Sequence, residues 1–199
     1  MGAHSGDERI RQVQTWLNNI GFKVDGRPLS LDGIVGDRTE LAVRRFQAGW
    51  VPAELAVDGV PGPATLTALE QSVAWGGRAS EHFRFREFRS KGNGDIVVER
   101  QLIVALERMR LVSGGPIAVL SGYRDPAHNR KIRGAKNSQH LYGRACDPIF
   151  RRRWLTVEEV RELELFTGIG YRPAKRNRVE HVDVRPGSPA APTTWTYPQ

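Results

Sequence analysis

The sequence predicts an α+β chain: a three-helix module in front and a small α+β domain with antiparallel strands behind. Three observations carry this. A turn-then-helix repeat occupies the first third of the chain. Gly76 and Gly77 then break the helical periodicity. Beyond them, helical faces alternate with short apolar or alternating runs. With 39% hydrophobic and 26% charged residues, the 199-residue chain has the composition of a globular protein rather than a disordered one.

The elements follow in order. Ile10, Val13, Leu17 and Ile20 recur at helical spacing, and Gly21 ends the run. Asp32-Gly33-Ile34-Val35-Gly36-Asp37-Arg38-Thr39 is repeated 26 residues later as Asp58-Gly59-Val60-Pro61-Gly62-Pro63-Ala64-Thr65. Asp-Gly is a turn signal, and Thr39 and Thr65 stand where helices begin. Leu41, Ala42 and Phe46 give the first of these helices an apolar face, and Leu66 and Leu69 the second. The module therefore spans residues 7–72, and residues 73–80 read as a linker.

The second domain is expected over residues 81–186. Val98, Leu102, Ala105, Leu106 and Met109 form a helical face, and Ser113-Gly114-Gly115-Pro116 a turn. Ile117–Ser121 is a short apolar strand. A helix is expected over 156–166, with Thr156 as N-cap and Glu158 and Glu159 in its first turn. Val179–Val184 alternates as a strand does, which puts Val179, His181 and Asp183 on one face and Glu180 on the other. Residues 187–199 read as a tail rich in Pro, Ala, Ser and Thr, with little to pack.

Charge and cysteine content narrow the function. The formal charge is +8, which favours encounter with polyanions: nucleic acid, an anionic membrane surface or acidic wall polymers. Arg151-Arg152-Arg153 and the run Arg130-Lys131-Ile132-Arg133 lack the interleaved aromatics of RNA-binding modules. They read as solvated faces, so no nucleic-acid partner is expected. Cys146 stands alone, which excludes a disulfide framework within the chain; it reads as a small buried residue. No apolar run reaches the roughly 20 residues of a membrane-spanning helix, so no membrane insertion is expected. The start, Met1 to Glu8, carries no visible signal peptide.

The chemistry concentrates in three short segments. Ser138-Gln139-His140-Leu141-Tyr142-Gly143-Arg144-Ala145-Cys146-Asp147 sets a histidine and an aspartate seven residues apart across a glycine-containing turn. Imidazole nitrogen and carboxylate oxygen are both zinc donors, and a catalytic zinc takes three protein ligands, leaving one position open. His181 is the best third donor. Spacing alone leaves room for histidines that are merely satisfied polar residues.

Two resemblances sharpen this reading. Val13-Gln14-Leu17, the two Asp-Gly turns and Arg45-Phe46-Gln47 resemble the PG-binding 1 family of peptidoglycan-binding three-helix modules. Ser121-Gly122-Tyr123-Arg124, then the Ser138 to Asp147 motif, then His181-Val182-Asp183, resemble the M15 family of zinc peptidases. That family includes D-alanyl-D-alanine carboxypeptidases and peptidoglycan endopeptidases, some of them phage endolysins. The resemblance implies a small α+β fold whose antiparallel sheet holds Zn2+ on His140, Asp147 and His181. It implies Arg124 as the cation that stabilises the developing oxyanion, and Ser138 as a substrate contact. Relatives carry an acid three residues before the last histidine ligand, where this chain has Arg178. Asp183 is therefore expected to take the general-base role, the alternative being that it orients a ligand.

The expected function is a zinc-dependent peptidase of peptidoglycan stem peptides or cross-bridges, held on the wall by its N-terminal module. It is expected to be a monomer, either a phage lysin released by a holin or an exported enzyme without its leader. Its alternatives are a strict D-alanyl-D-alanine carboxypeptidase and, from another class, a non-catalytic wall-binding protein with a structural zinc.

Overall fold

The computed structural model describes residues 6–198; residues 1–5, most of the start that carries no visible signal peptide, lie outside the described residues. Three helices come first: α1 (Glu8–Ile20), α2 (Asp37–Gly49) and α3 (Pro63–Ala74). Asp7 caps α1 by accepting the Arg9 amide at 2.8 Å, and Gly21 ends it in the left-handed conformation. Thr39 and Thr65 stand at helix starts, with Gly36 and Gly62 in the N-cap positions. They lie in the first turn, two residues inside α2 and α3, where their buried hydroxyls accept hydrogen bonds from glutamines. Leu41, expected on the apolar face of α2, is exposed.

The repeat has a physical basis. Gln14 on α1 donates through Nε2 to Asp32 Oδ1 (2.7 Å), the Ile34 carbonyl (3.0 Å) and Thr39 Oγ1 (3.2 Å). Its Oε1 accepts the Gly33 amide at 3.0 Å. Gln47 on α2 does the same to Asp58, Val60, Thr65 and Gly59, at 2.9, 3.1, 3.0 and 2.9 Å. Each glutamine thus staples the turn that follows its own helix to the start of the next. Buried polar groups satisfied in this way define a single arrangement of the loop.

The rest of the chain forms α4 (Arg100–Ser113), β1 (Ile117–Ser121), α5 (Pro126–Lys131), β2 (Ala145–Phe150), α6 (Val157–Arg161), β3 (Gly168–Arg172), β4 (Arg178–Asp183) and β5 (Thr193–Thr196). The sheet order is β1-β2-β4-β3-β5, antiparallel except for the parallel pair β3–β5. The helix expected over 156–166 is shorter. Thr156 and Glu159 form a reciprocal capping box, but α6 stops at Arg161, and Glu164 turns the chain with a φ of 50°. The tail also differs from expectation. Thr193–Thr196 adds a strand to the sheet, because three β-branched threonines flank a tryptophan that can pack on β3.

The front helices are packed against the rest. Phe85 lies 5.1 Å from Phe22 and 5.3 Å from Phe46 between ring centroids. Asp95, 1% exposed, accepts the amides of Asp25 (3.1 Å) and Gly26 (2.8 Å) and the Arg45 guanidinium (3.2 Å). Residues 73–80 run from the last turn of α3 through Gly76 and Gly77 into buried Ala79 and Ser80, and the Val51 amide donates to the Ala79 carbonyl at 3.0 Å. The segment joining the two parts is itself packed.

Candidate metal centre

Three elements deliver the three predicted ligands. Asp147 is carried by β2, paired across to Ser121 at the end of β1. His181 is carried by β4. His140 sits in a 3-10 turn, Gln139–Tyr142, that ends at Gly143. Gly143 has a φ of 69°, and an added Cβ would stand 2.6 Å from the Val97 carbonyl oxygen, so only glycine closes this turn. The turn brings His140 back over the strand that bears Asp147.

The donor atoms converge. His140 Nε2 is 3.1 Å from Asp147 Oδ1 and 3.2 Å from His181 Nδ1, and that Nδ1 is 2.9 Å from Asp147 Oδ1. Four tetrahedral ligands at zinc distances of about 2.0–2.1 Å stand roughly 3.3 Å from one another, so the spacing suits such an ion. The remaining ring atoms are already committed. His140 Nδ1 donates to the Gly122 carbonyl at 2.6 Å, and His181 Nε2 donates to Asp183 Oδ2 at 3.1 Å. Each ring therefore spends its proton on the far side and turns a lone pair toward Asp147. Three acceptors face one another, an arrangement that calls for a cation among them.

Protonation follows the same logic. Burial would raise the Asp147 carboxyl, but the close approach of the His140 and His181 rings outweighs it and holds it well below the usual carboxylate range. Burial pushes the His140 pKa down, against the pull of Asp147. Burial also disfavours charge on His181, yet its bonds to Asp147 and Asp183 win and raise its pKa.

Arg124 lies beside the cluster. Its Nε donates to Ser121 Oγ at 2.8 Å and its Nη2 pairs with Asp147 Oδ2, while its backbone amide donates to the His140 carbonyl at 3.0 Å. Ser138 precedes the turn and makes no capping bond; it lines the same cavity. Asp183 does not line it. Its side chain is fully buried behind His181, and both oxygens are engaged, Oδ1 by the Arg185 amide and guanidinium and Oδ2 by His181 and Arg185. Burial would raise its pKa, but Arg185 and His181 bring it down to about 2.

Glu180 reverses an expectation. Strict alternation puts it on the face away from the site, yet it lines the cavity beside His181. The cause is a bulge: Gly170 pairs with His181 and Tyr171 with Val179, leaving Glu180 as an extra residue that breaks the two-residue alternation. Arg172 holds it at 2.8 Å and Arg178 at 2.6 Å. The Arg172 bond, aided by Arg178, holds its carboxyl below the ordinary range against the opposing effect of burial. The cavity, about 860 Å³, also receives Trp154, Trp195 and Tyr197, which sequence reasoning did not place there. The Thr-Thr-Trp-Thr-Tyr alternation of the tail was the available signal for the last two.

Known proteins match in the same order along the chain. A model described as "Peptidase M15" covers residues 76–183, and one described as "Putative peptidoglycan binding domain" covers residues 6–69. A protein of Streptomyces albus G named zinc D-Ala-D-Ala carboxypeptidase is similar, at 32% identity over 154 residues. The match takes in 72% of this chain and 58% of that protein, so the chain spans less than two thirds of its relative's length.

Proposed function

From the premise that this chain belongs to the peptidase M15 family, we propose that it is a zinc-dependent peptidase that cuts an amide bond in the peptide part of peptidoglycan. The observation that carries the reading is the set of three mutually facing acceptors, His140 Nε2, Asp147 Oδ1 and His181 Nδ1, opening into a cavity large enough for a peptide. Bound there, zinc would acidify a water molecule and polarise a carbonyl.

The chain's own residues do the rest. Arg124 is a fixed cation at the cluster, suited to charge developing on the scissile carbonyl oxygen. Asp183 holds His181 in the tautomer that presents Nδ1, which is a positioning role. Proton transfer passes to Glu180, the cavity-lining carboxylate outside the ligand set among the described residues. Its arginine partners keep it ionised at neutral pH, as an acceptor must be, at some loss of basicity. Ser138 offers an uncommitted hydroxyl to substrate.

The match of residues 6–69 supports peptidoglycan as partner and the bacterial wall as the place of action, with the front module raising the local concentration of substrate. A second reading is a strict carboxypeptidase, favoured by the name of the similar Streptomyces protein. Digestion of purified peptidoglycan by chelated protein, before and after zinc is restored, tests both. New amino groups should appear only with zinc. Mass spectrometry of the fragments then separates loss of one terminal alanine from parting of cross-linked dimers. No release with zinc bound would favour a non-catalytic wall-binding protein.

A further inference from the structure

The segment from Thr193 to Tyr197 is fitted to the cavity rather than loosely appended. β5 pairs in parallel with β3, with Trp195 opposite Gly170. A Cβ at Gly170 would stand 2.8 Å from both Trp195 Nε1 and Tyr197 Cε2, so β3 leaves out a side chain where these two rings sit. Trp195 and Tyr197 are partly buried, whereas Thr193, Thr194 and Thr196 are exposed. The Trp195 ring lies 5.1 Å from that of His181. The Tyr197 amide donates to the Tyr171 carbonyl at 2.9 Å, and Arg172 donates to the Pro198 carbonyl.

The same rings hold arginines. Arg185 lies 5.1 Å from the Trp195 centroid and Arg172 lies 5.9 Å from that of Tyr197, while Arg178 lies 3.8 Å from Trp154. All six of these residues line the cavity. The N–H edges of these guanidiniums pair with carboxylates of the chain itself, Arg185 with Asp183 and both Arg172 and Arg178 with Glu180, while the aromatic faces hold the cations beside the cavity. Arg124, Arg172, Lys175, Arg178 and Arg185 line the cavity against the carboxylates Asp147 and Glu180, with Asp183 pairing Arg185 from behind, so cations outnumber carboxylates at this wall.

We propose that Trp195 and Tyr197 are substrate-binding residues: the C-terminal strand forms one wall of the cavity and, with its stacked arginines, selects a peptide that carries free carboxylates. The inference rests on the peptidase reading for its substrate class, but its test does not depend on turnover. A soluble peptidoglycan stem peptide, and the same peptide with its carboxylates amidated, are titrated calorimetrically into the metal-free full chain and its variants. Trp195→Ala and Tyr197→Ala should each weaken binding of the acid form roughly tenfold. They should also narrow the gap between acid and amide forms, and Trp195→Phe should retain most of the affinity. In the zinc-loaded protein the loss should fall on KM, with kcat and zinc content held. Unchanged affinity in both alanine variants overturns the proposal. So does a fall in kcat that tracks lost zinc while KM stays put, which would make Trp195 only a prop for His181. A wild-type protein that binds the peptide without cutting it would sink the peptidase reading and leave the binding comparison intact.

Discussion

Gln14 and His140 are equally buried, at 1% exposure each, and both belong to short motifs visible in the sequence. Their surroundings differ in kind. Gln14 meets complementary partners: its two-hydrogen amide nitrogen faces acceptors, and its oxygen faces the Gly33 amide. His140 turns Nε2 toward a carboxylate oxygen and a second imidazole lone pair. The first network is closed, and closing it stabilises a loop. The second is short of a positive charge and opens into a cavity. A buried polar cluster is thus structural when donors and acceptors balance, and chemical when they do not.

The sharpest break of this comparison is His140→Ala. It should abolish zinc binding and bring hydrolysis down by several orders of magnitude, to background. Native mass spectrometry counts the metal and fragment analysis counts the cuts, while circular dichroism should report a retained fold. Zinc binding that survives the substitution would mean that the facing acceptors are not the metal centre.

Next come the two carboxylates around His181. Glu180→Gln should lower kcat about 10²–10⁴-fold with zinc content unchanged, as expected for loss of a proton acceptor. Asp183→Asn should act through the metal, weakening zinc affinity about 10–100-fold in competition with a chelator. If Asp183→Asn lowers kcat at unchanged zinc affinity instead, proton transfer returns to Asp183.

These two residues also mark the limit of what the sequence made legible. The helix repeat, β1 and the convergence of His140, Asp147 and His181 could be read because turn signals, apolar spacing and ordered motifs are local. Thr156 likewise announced its N-cap. The facing of Glu180 could not be read, because it depends on a bulge between β3 and β4, where Gly170 and Tyr171 skip a residue of the partner strand. Strict alternation then assigns the wrong side. The tail was missed for a related reason. Composition suggested nothing to pack, yet the partner of Trp195 is empty space over Gly170, and a missing side chain leaves no signal of its partner. The packed junction depends on Asp95 meeting Arg45 and the Asp25-Gly26 turn, contacts between residues far apart in the chain.

On the closed side of the comparison, Gln14→Ala and Gln47→Ala should each cost about 1–3 kcal/mol of stability by leaving the acceptors around the amide unpaired. Chemical denaturation measures the loss. Hydrolysis of a soluble peptide should be unchanged in both, since neither network touches the cavity. A fall in kcat at unchanged zinc content would show that the two networks are not independent.

The smallest effect distinguishes the two halves of the repeat from each other. Asp32 and Asp58 are both held below the ordinary carboxylate range, but by different leading partners: the Gln14 side chain for Asp32, the Val60 amide for Asp58. A carboxyl whose folded pKa is depressed adds stability above its unfolded value, near 3.9, and loses it as pH falls through the folded value. As pH falls below that unfolded value, unfolding free energy should therefore decline. Removing Gln14 takes away the main support of the Asp32 shift, whereas removing Gln47 leaves the Val60 amide in place at Asp58. Gln14→Ala should accordingly flatten the acid limb more than Gln47→Ala does, each compared with wild type by denaturant titration at a series of pH values. Equal flattening would mean that the backbone amides govern both turns alike. The glutamines would then be staples for the loops and not keepers of the charge.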